Sequence, residues 1–220
     1  LIFLAIFARN WRKMCNFAPC QNIIIMDIQN YILPIMGNTL CGCGFFVGNR
    51  FITAGHVVVK CNLPLVVWFE GKKYTLDFNN LLQICYSKEI EGRISCADFA
   101  VFAFDNINSP LDLADYTPTN GQVLRCITYD EVHAKTNNNM PAIFAYEQKI
   151  VKINTNAIVR TEHQENFFAC DTKSILHEGN SGCPLIDSDN KIVGILHGGT
   201  KIPECCVFQS ASSIRQLINY

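Results

Sequence analysis

The apolar run that opens the chain, Leu1 to Ala8, is closed by Arg9 and falls far short of the ~20 residues that cross a bilayer. No basic segment precedes it and no small-residue cleavage site follows, so it does not read as a secretory signal. The sequence also lacks any long Lys/Arg run, and its 18 basic and 19 acidic residues nearly cancel, which excludes a nucleic-acid binder driven by bulk charge. Charged residues are only 17% and hydrophobic residues 49%, which excludes disorder as the main state. Twelve cysteines in 220 residues are too sparse for a disulfide scaffold. Cys41-Gly42-Cys43 and Cys205-Cys206 are close pairs, but no further C-x-C, C-x-x-C or C-x-H pair completes a zinc set. Buried free thiols, no metal and no cofactor are therefore expected. The chain opens without Met, and we read it as cut from a longer precursor, with the apolar start as the tail of an upstream membrane span.

Short β-rich runs separated by turn signals fill the rest, at the spacing of a barrel or sandwich. They include Gly44–Val47, Phe51–Ala54, Leu65–Phe69, Phe99–Phe104, Val123–Tyr129, Lys149–Ile153, Asn156–Thr161, Cys183–Ile186 and Ile192–Leu196. Asp187-Ser188-Asp189-Asn190 is a turn that makes the last two a hairpin. The stretch 108–121, with Pro110 and Pro118 among polar residues, reads as a linker between two β-rich halves, 23–107 and 122–210. Residues 1–22 form an N-terminal extension. Residues 211–220 carry apolar Ile214, Leu217 and Ile218 at spacings of three and four and read as a short closing helix, with Ser213 as a cap.

Three strings carry chemistry: Thr53-Ala54-Gly55-His56-Val57, Cys96-Ala97-Asp98-Phe99-Ala100-Val101 and Gly179-Asn180-Ser181-Gly182-Cys183-Pro184. A serine hydroxyl is a weak nucleophile and needs an adjacent base. His56 can take its proton and return it to a leaving group, and Asp98 can fix the His tautomer and stabilise the imidazolium. Gly179 and Gly182 allow a tight turn around Ser181, so that the amides of Gly179 and Ser181 aim at one developing oxyanion. Cys183 is a poor rival nucleophile, because the glycines frame the serine.

In this setting the sequence resembles the chymotrypsin-like serine proteases, with His, Asp and Ser in that chain order. The family's T-A-[AG]-H, D-[LIF]-A-[VL] and G-[DN]-S-G-x-P strings are matched by Thr53–His56, Asp98–Val101 and Gly179–Pro184. Val193 to Gly199 resembles the family strand that pairs with substrate and walls the specificity pocket, and the likeness runs over about 35–210. It implies an all-β fold of two antiparallel six-stranded β-barrels with short terminal helices, the active site lying in the cleft between them. It also implies a serine endopeptidase with a polypeptide substrate.

The departures narrow the resemblance. Val57 and His177 stand where secreted members carry landmark cysteines, which favours a reducing compartment. Asn180 has no charge with which to pair a newly cleaved N-terminus. The chain is most similar to the 3C-like serine proteases of positive-strand RNA viruses, which implies a viral polyprotein as substrate and the host cell cytoplasm, in a membrane-associated precursor, as location. RNA binding by the opposite face is a secondary expectation. A cellular or bacterial trypsin-like quality-control protease and a catalytically silent binding relative are the alternatives.

Two readings of the substrate pocket stand open. Viral relatives that cut after Gln or Glu carry His in a Gly-x-His strand, where this chain has Leu196, with His197 one residue later. Leu176 stands at the facing position. With Leu196 and Leu176 inside, P1 (the residue before the scissile bond) is apolar; with a bulge that turns His197 inside, P1 is Gln or Glu. Gly198 and Gly199 leave the substrate path open for backbone pairing.

Overall fold

A computed structural model of the 220-residue chain describes residues 27–86, 89–90, 93–94, 97–133, 148–164, 166–172, 179–201 and 204–218. The 1–22 extension, the loop around Asn137–Asn139, Leu176 and His177 lie outside these residues.

After a 3₁₀ turn, Ile28–Tyr31, the N-terminal half contains β1 (Ile32–Met36), β2 (Leu40–Val47), β3 (Arg50–Thr53), helix α1 (Gly55–Cys61), β4 (Leu65–Phe69), β5 (Lys72–Leu76), β6 (Leu81–Cys85), β7 (Glu89–Ile90), β8 (Arg93–Ile94) and β9 (Phe99–Ala103). Seven of these strands form one antiparallel sheet in the order β5-β4-β1-β2-β3-β9-β6, and β7 and β8 form a separate pair. The C-terminal half contains β10 (Val123–His133), β11 (Gln148–Gln164), β12 (Phe167–Thr172), β13 (Pro184–Ile186), β14 (Ile192–Lys201), β15 (Glu204–Ser210) and helix α2 (Ala211–Leu217). Its six strands close into a barrel, β10-β11-β12-β15-β14-β13.

The fold is the expected all-β, chymotrypsin-like one, with one difference in closure. The N-terminal sheet is a half-barrel, because its end strands β5 and β6 are joined by a side-chain corner in place of a ladder. Asn80 builds that corner: its Nδ2 donates to Thr75 O at 2.8 Å, its Oδ1 accepts from Asp77 N at 3.0 Å, and its carbonyl accepts from Ala103 N at 2.8 Å.

Alternation along the central strands covers both faces of this sheet. Cys43, Phe45 and Val47 of β2, Ile52 of β3 and Phe99 and Val101 of β9 join a core shared with Leu124, Ile127, Phe168 and Phe208 of the C-terminal barrel. The intervening Phe46, Phe51, Ala100 and Phe102 face a second core with Ile35, Leu65 and Val67. Successive strand residues point to opposite faces, so one sheet serves both cores. Burying one such aromatic side chain contributes about 1.5–3 kcal/mol.

Some segments differ from the sequence reading. The connector around 108–121 is not a loose tether: Leu111, Leu113 and Ala114 are buried, and Leu113 forms a bridge with Ile192 of β14. Lys149–Ile153 and Asn156–Thr161 are one continuous strand, β11. The expected break at Asn154 and Thr155 does not occur because Thr155, Ala157 and Val159 stay buried while Asn154, Asn156 and Ile158 stay exposed, so period-2 alternation runs straight through. At the closing helix the N-cap residue is Ser210, not Ser213; Ser213 lies inside the helix and donates its hydroxyl back to Ser210 O at 2.7 Å. No helix among the described residues is long and apolar enough to cross a membrane.

Candidate active site

His56 sits in the first turn of α1, a seven-residue helix that sequence reading missed. Val57, Val58 and Val59 are weak helix formers, and Ala54 offers no side-chain cap. Tertiary burial supplies what propensity lacks, since Val57 and Val58 pack into the inner core of the sheet. Gly55 is required by contact: a Cβ there would lie 2.0 Å from Cys85 O and 3.1 Å from Asp98 Oδ1. The missing side chain lets α1 press against the residue that orients His56.

Asp98 precedes β9 and is 1% exposed. Its Oδ1 accepts the His56 backbone amide at 2.8 Å, and its Oδ2 lies 2.7 Å from His56 Nδ1. Its own amide donates to Gln209 Oε1 at 2.7 Å. His197 Nδ1 makes a further, short hydrogen bond to the same Oδ2. Burial acts to raise the Asp98 pKa, but the hydrogen bonds from His197 and His56 outweigh it and bring the carboxyl down to about 2. Asp98 is thus an ionised carboxylate, able to hold His56 with its Nδ1 protonated and its Nε2 free to accept a proton. Asp105, the nearest other described acid along the chain, is exposed in the turn after β9.

Ser181 lies in the turn ahead of β13, between two glycines with left-handed φ: Gly179 at +92° and Gly182 at +85°. L-residues rarely adopt these values. At Gly182 a Cβ would also lie 2.2 Å from Cys43 O and 2.5 Å from Thr53 Oγ1. The turn is pinned to the N-terminal sheet, because Cys43 N donates to Ser181 O at 2.7 Å and Thr53 Oγ1 donates to Cys43 O at 2.6 Å. Gly182 N donates to Leu196 O at 2.8 Å, which ties the turn to β14. These contacts set Gly182, the neighbour of Ser181, against Thr53 and Ala54, the residues that lead into His56. Among the described residues no hydrogen bond joins Ser181 Oγ to His56, and the amides of Gly179 and Ser181 have no acceptor. In unliganded sites catalytic hydrogen bonds are often long and tighten on binding.

Asn180 has a role that the sequence did not reveal. Its side chain is 2% exposed and donates a short hydrogen bond to Tyr129 O, while Tyr129 Oη donates to Ile32 O at 2.6 Å. The amide therefore links the nucleophile turn through β10 to β1. Cys183, two residues after Ser181, is fully buried with its thiol pKa pushed well up, foremost by burial, so it carries no reactive thiolate. None of the nine described cysteines is joined in a disulfide.

The substrate-side residues divide. Leu196 is buried in the shared core. The β14–β15 register does slip at His197, with Leu196 opposite Phe208 and Gly198 opposite Val207. At the slip the imidazole is hydrogen-bonded to Asp98 Oδ2; of the two pocket readings left open, the one in which His197 reads P1 would require this bond to break. Gly198 and Gly199 of β14 pair with Val207 and Cys206 of β15, and among the described residues no strand pairs with their other edge. Among the described residues nothing lies within 4 Å of a Cβ placed at Gly198. His56, Asp98 and His197 each offer a ligand atom within 4.8 Å of the others, a group that sequence reading did not foresee as able to hold a metal. Asp98 Oδ2 already accepts from both rings.

The profile of the trypsin-like peptidase domain matches residues 42–195. The chain belongs to the trypsin-like peptidase family. No curated protein sequence matches it. Among solved structures, it is similar to the active form of the Rv3671c protease of Mycobacterium tuberculosis, with TM-score 0.60, 16% identity and coverage of 89% of this chain and 82% of that one. It is similar to the tobacco etch virus protease in complex with product, with TM-score 0.55, 18% identity and coverage of 83% and 73%. It is also similar to the tobacco vein mottling virus protease, with TM-score 0.56, 14% identity and coverage of 83% and 77%. At these identities the likeness carries the chymotrypsin-like fold. Family membership adds a polypeptide as the substrate class.

Proposed function

We propose that the chain is a serine endopeptidase that cleaves a viral polyprotein through an acyl-enzyme. The observation that carries the reading is the meeting of two independently built parts. A buried His56–Asp98 pair comes from the N-terminal sheet, and a glycine-flanked Ser181 comes from the barrel, tied across by the Cys43 N–H to Ser181 O hydrogen bond.

His56 Nε2 takes the Ser181 proton as Oγ attacks the carbonyl carbon, and Asp98 stabilises the resulting imidazolium. The amides of Gly179 and Ser181 stabilise the oxyanion, and losing one such donor costs about 10²–10³ in turnover. Collapse breaks the C–N bond, and His56 returns the proton to the departing amine. Water, deprotonated by the same imidazole, then hydrolyses the acyl-enzyme. The substrate chain adds to the free edge at Gly198 and Gly199. With its ring held by Asp98, His197 does not bind a Gln or Glu side chain, and P1 is apolar.

The polyprotein substrate is supported by the likeness to two plant-virus proteases. The lack of a disulfide at the nine described cysteines supports a reducing compartment, for which we propose the host cell cytoplasm. A bacterial trypsin-like quality-control protease is the second reading, favoured by the 90% coverage of both chains in the match to the inactive Rv3671c variant. RNA binding and a membrane-tethered precursor have no support among the described residues. Incubation with a peptide library, followed by mass analysis of products and of enzyme quenched early, tests the proposal. Cleavage after apolar P1 residues, with a transient acyl adduct on Ser181, is the expected result. No cleavage and no adduct on folded protein would overturn it.

A further inference from the structure

His197 occupies the strand that walls the substrate path, yet its ring faces Asp98. Three donors converge on that carboxylate: the His56 amide on Oδ1, and the Nδ1 groups of His56 and His197 together on Oδ2. An ionised carboxylate accepts about four hydrogen bonds, so the third donor fits without displacing the others. The two imidazoles meet edge to face, 5.5 Å apart at 84°. On its other side the His197 ring packs against Phe167, 5.4 Å away at 67°. The register slip between Leu196 and Gly198 leaves His197 without a partner residue on β15, which is what lets the side chain swing toward Asp98. A histidine held at both faces and bonded to a buried carboxylate has little freedom to enter a neighbouring pocket.

Resting on the peptidase reading above, we propose that His197 is a positioning residue for the reaction. Its Nδ1–H donates to Asp98 Oδ2 and fixes the carboxylate in the orientation that His56 needs, and it takes no part in reading P1. Without it, the Asp98 carboxylate keeps only donors that belong to His56 itself and can turn with that ring. Misplacing a catalytic group by about 1 Å costs on the order of 10²-fold in rate.

Two measurements test this, and the first does not depend on activity. In Ser181→Ala protein carrying ¹⁵N-labelled histidine, His56 and His197 should each show a slowly exchanging, low-field Nδ1–H resonance. Asp98→Ala should abolish both, and His197→Asn only one. A His197 ring proton that exchanges freely with water overturns the proposal whether or not the chain is a peptidase. In the active protein, His197→Ala should lower kcat about 10–100-fold with KM and P1 preference unchanged. His197→Asn places an N–H donor where Nδ1 stood and should restore kcat to within several-fold. An unaltered kcat in His197→Ala, an Asn variant as slow as the Ala variant, or a raised KM with a changed P1 preference would each overturn it. Wild type without any cleavage would instead sink the peptidase reading and leave the resonance test to decide the position of His197.

Discussion

The N-terminal half-barrel delivers His56 and Asp98 through side-chain hydrogen bonds, whereas the C-terminal barrel delivers Ser181 through backbone geometry. Around Asp98 the geometry is held by ring nitrogens, an amide and Gln209. Around Ser181 it is held by two left-handed glycines and main-chain bonds to Cys43 and Leu196. A side-chain network can be edited one atom at a time while the fold persists. A backbone turn packed this closely cannot accept one added methyl group. The two halves should therefore respond to substitution in opposite ways.

The largest effects fall on turnover, with the fold retained. Ser181→Ala should lower kcat on the order of 10⁶-fold, and Asp98→Asn about 10⁴-fold by holding His56 in the wrong tautomer. Peptide hydrolysis beside thermal melts checks both; substantial residual turnover in Ser181→Ala would contradict the assigned nucleophile. Gly182→Ala should do the reverse and damage the fold itself. A Cβ 2.2 Å from Cys43 O, at a φ of +85°, should lower stability by about 2–4 kcal/mol, read by urea unfolding. A Gly182→Ala protein as stable as wild type would show that the turn is not backbone-fixed.

The network around Asp98 also has a pH signature. Its carboxyl pKa is lowered to about 2 in the fold, against about 3.9 in an unfolded chain. The depressed value means that Asp98 contributes stability above pH ~4 that is lost as pH falls through ~2, on the order of 2 kcal/mol. Urea midpoints measured across that window should drop in wild type and flatten in Asp98→Asn. An equal drop in both would assign the acid sensitivity to other groups. The smallest effect belongs to the barrel surface. Arg160 and Asp171 pair at 2.6 Å with side chains 40% and 42% exposed, and Arg160→Ala should change stability by less than about 1 kcal/mol.

The same contrast explains what could be read from the sequence. Thr53–His56, Asp98–Val101 and Gly179–Pro184 are local strings, and each predicts its own turn or strand. Short apolar runs bounded by turn signals, such as Leu65–Phe69, are equally legible. The helix carrying His56 was not, because its valines disfavour helix and only burial against the sheet favours it. The half-barrel closure rests on one asparagine corner that no pattern announces. Gln209, Asn180 and His197 act at long range: Gln209 and Asp98 are 111 positions apart in the sequence, and His197 and Asp98 are 99 apart. His197 shows the limit clearly. Strand alternation left two faces open, and the register slip that chooses between them depends on pairing with β15.

The central claim is that the two halves together activate Ser181. Intact-mass analysis after treatment with a fluorophosphonate, on wild type, Ser181→Ala and Asp98→Asn, tests it most directly. The account predicts a single adduct on wild type, none on Ser181→Ala, and slow labelling of Asp98→Asn. No adduct on folded wild type, or an adduct that persists in Ser181→Ala, would contradict it.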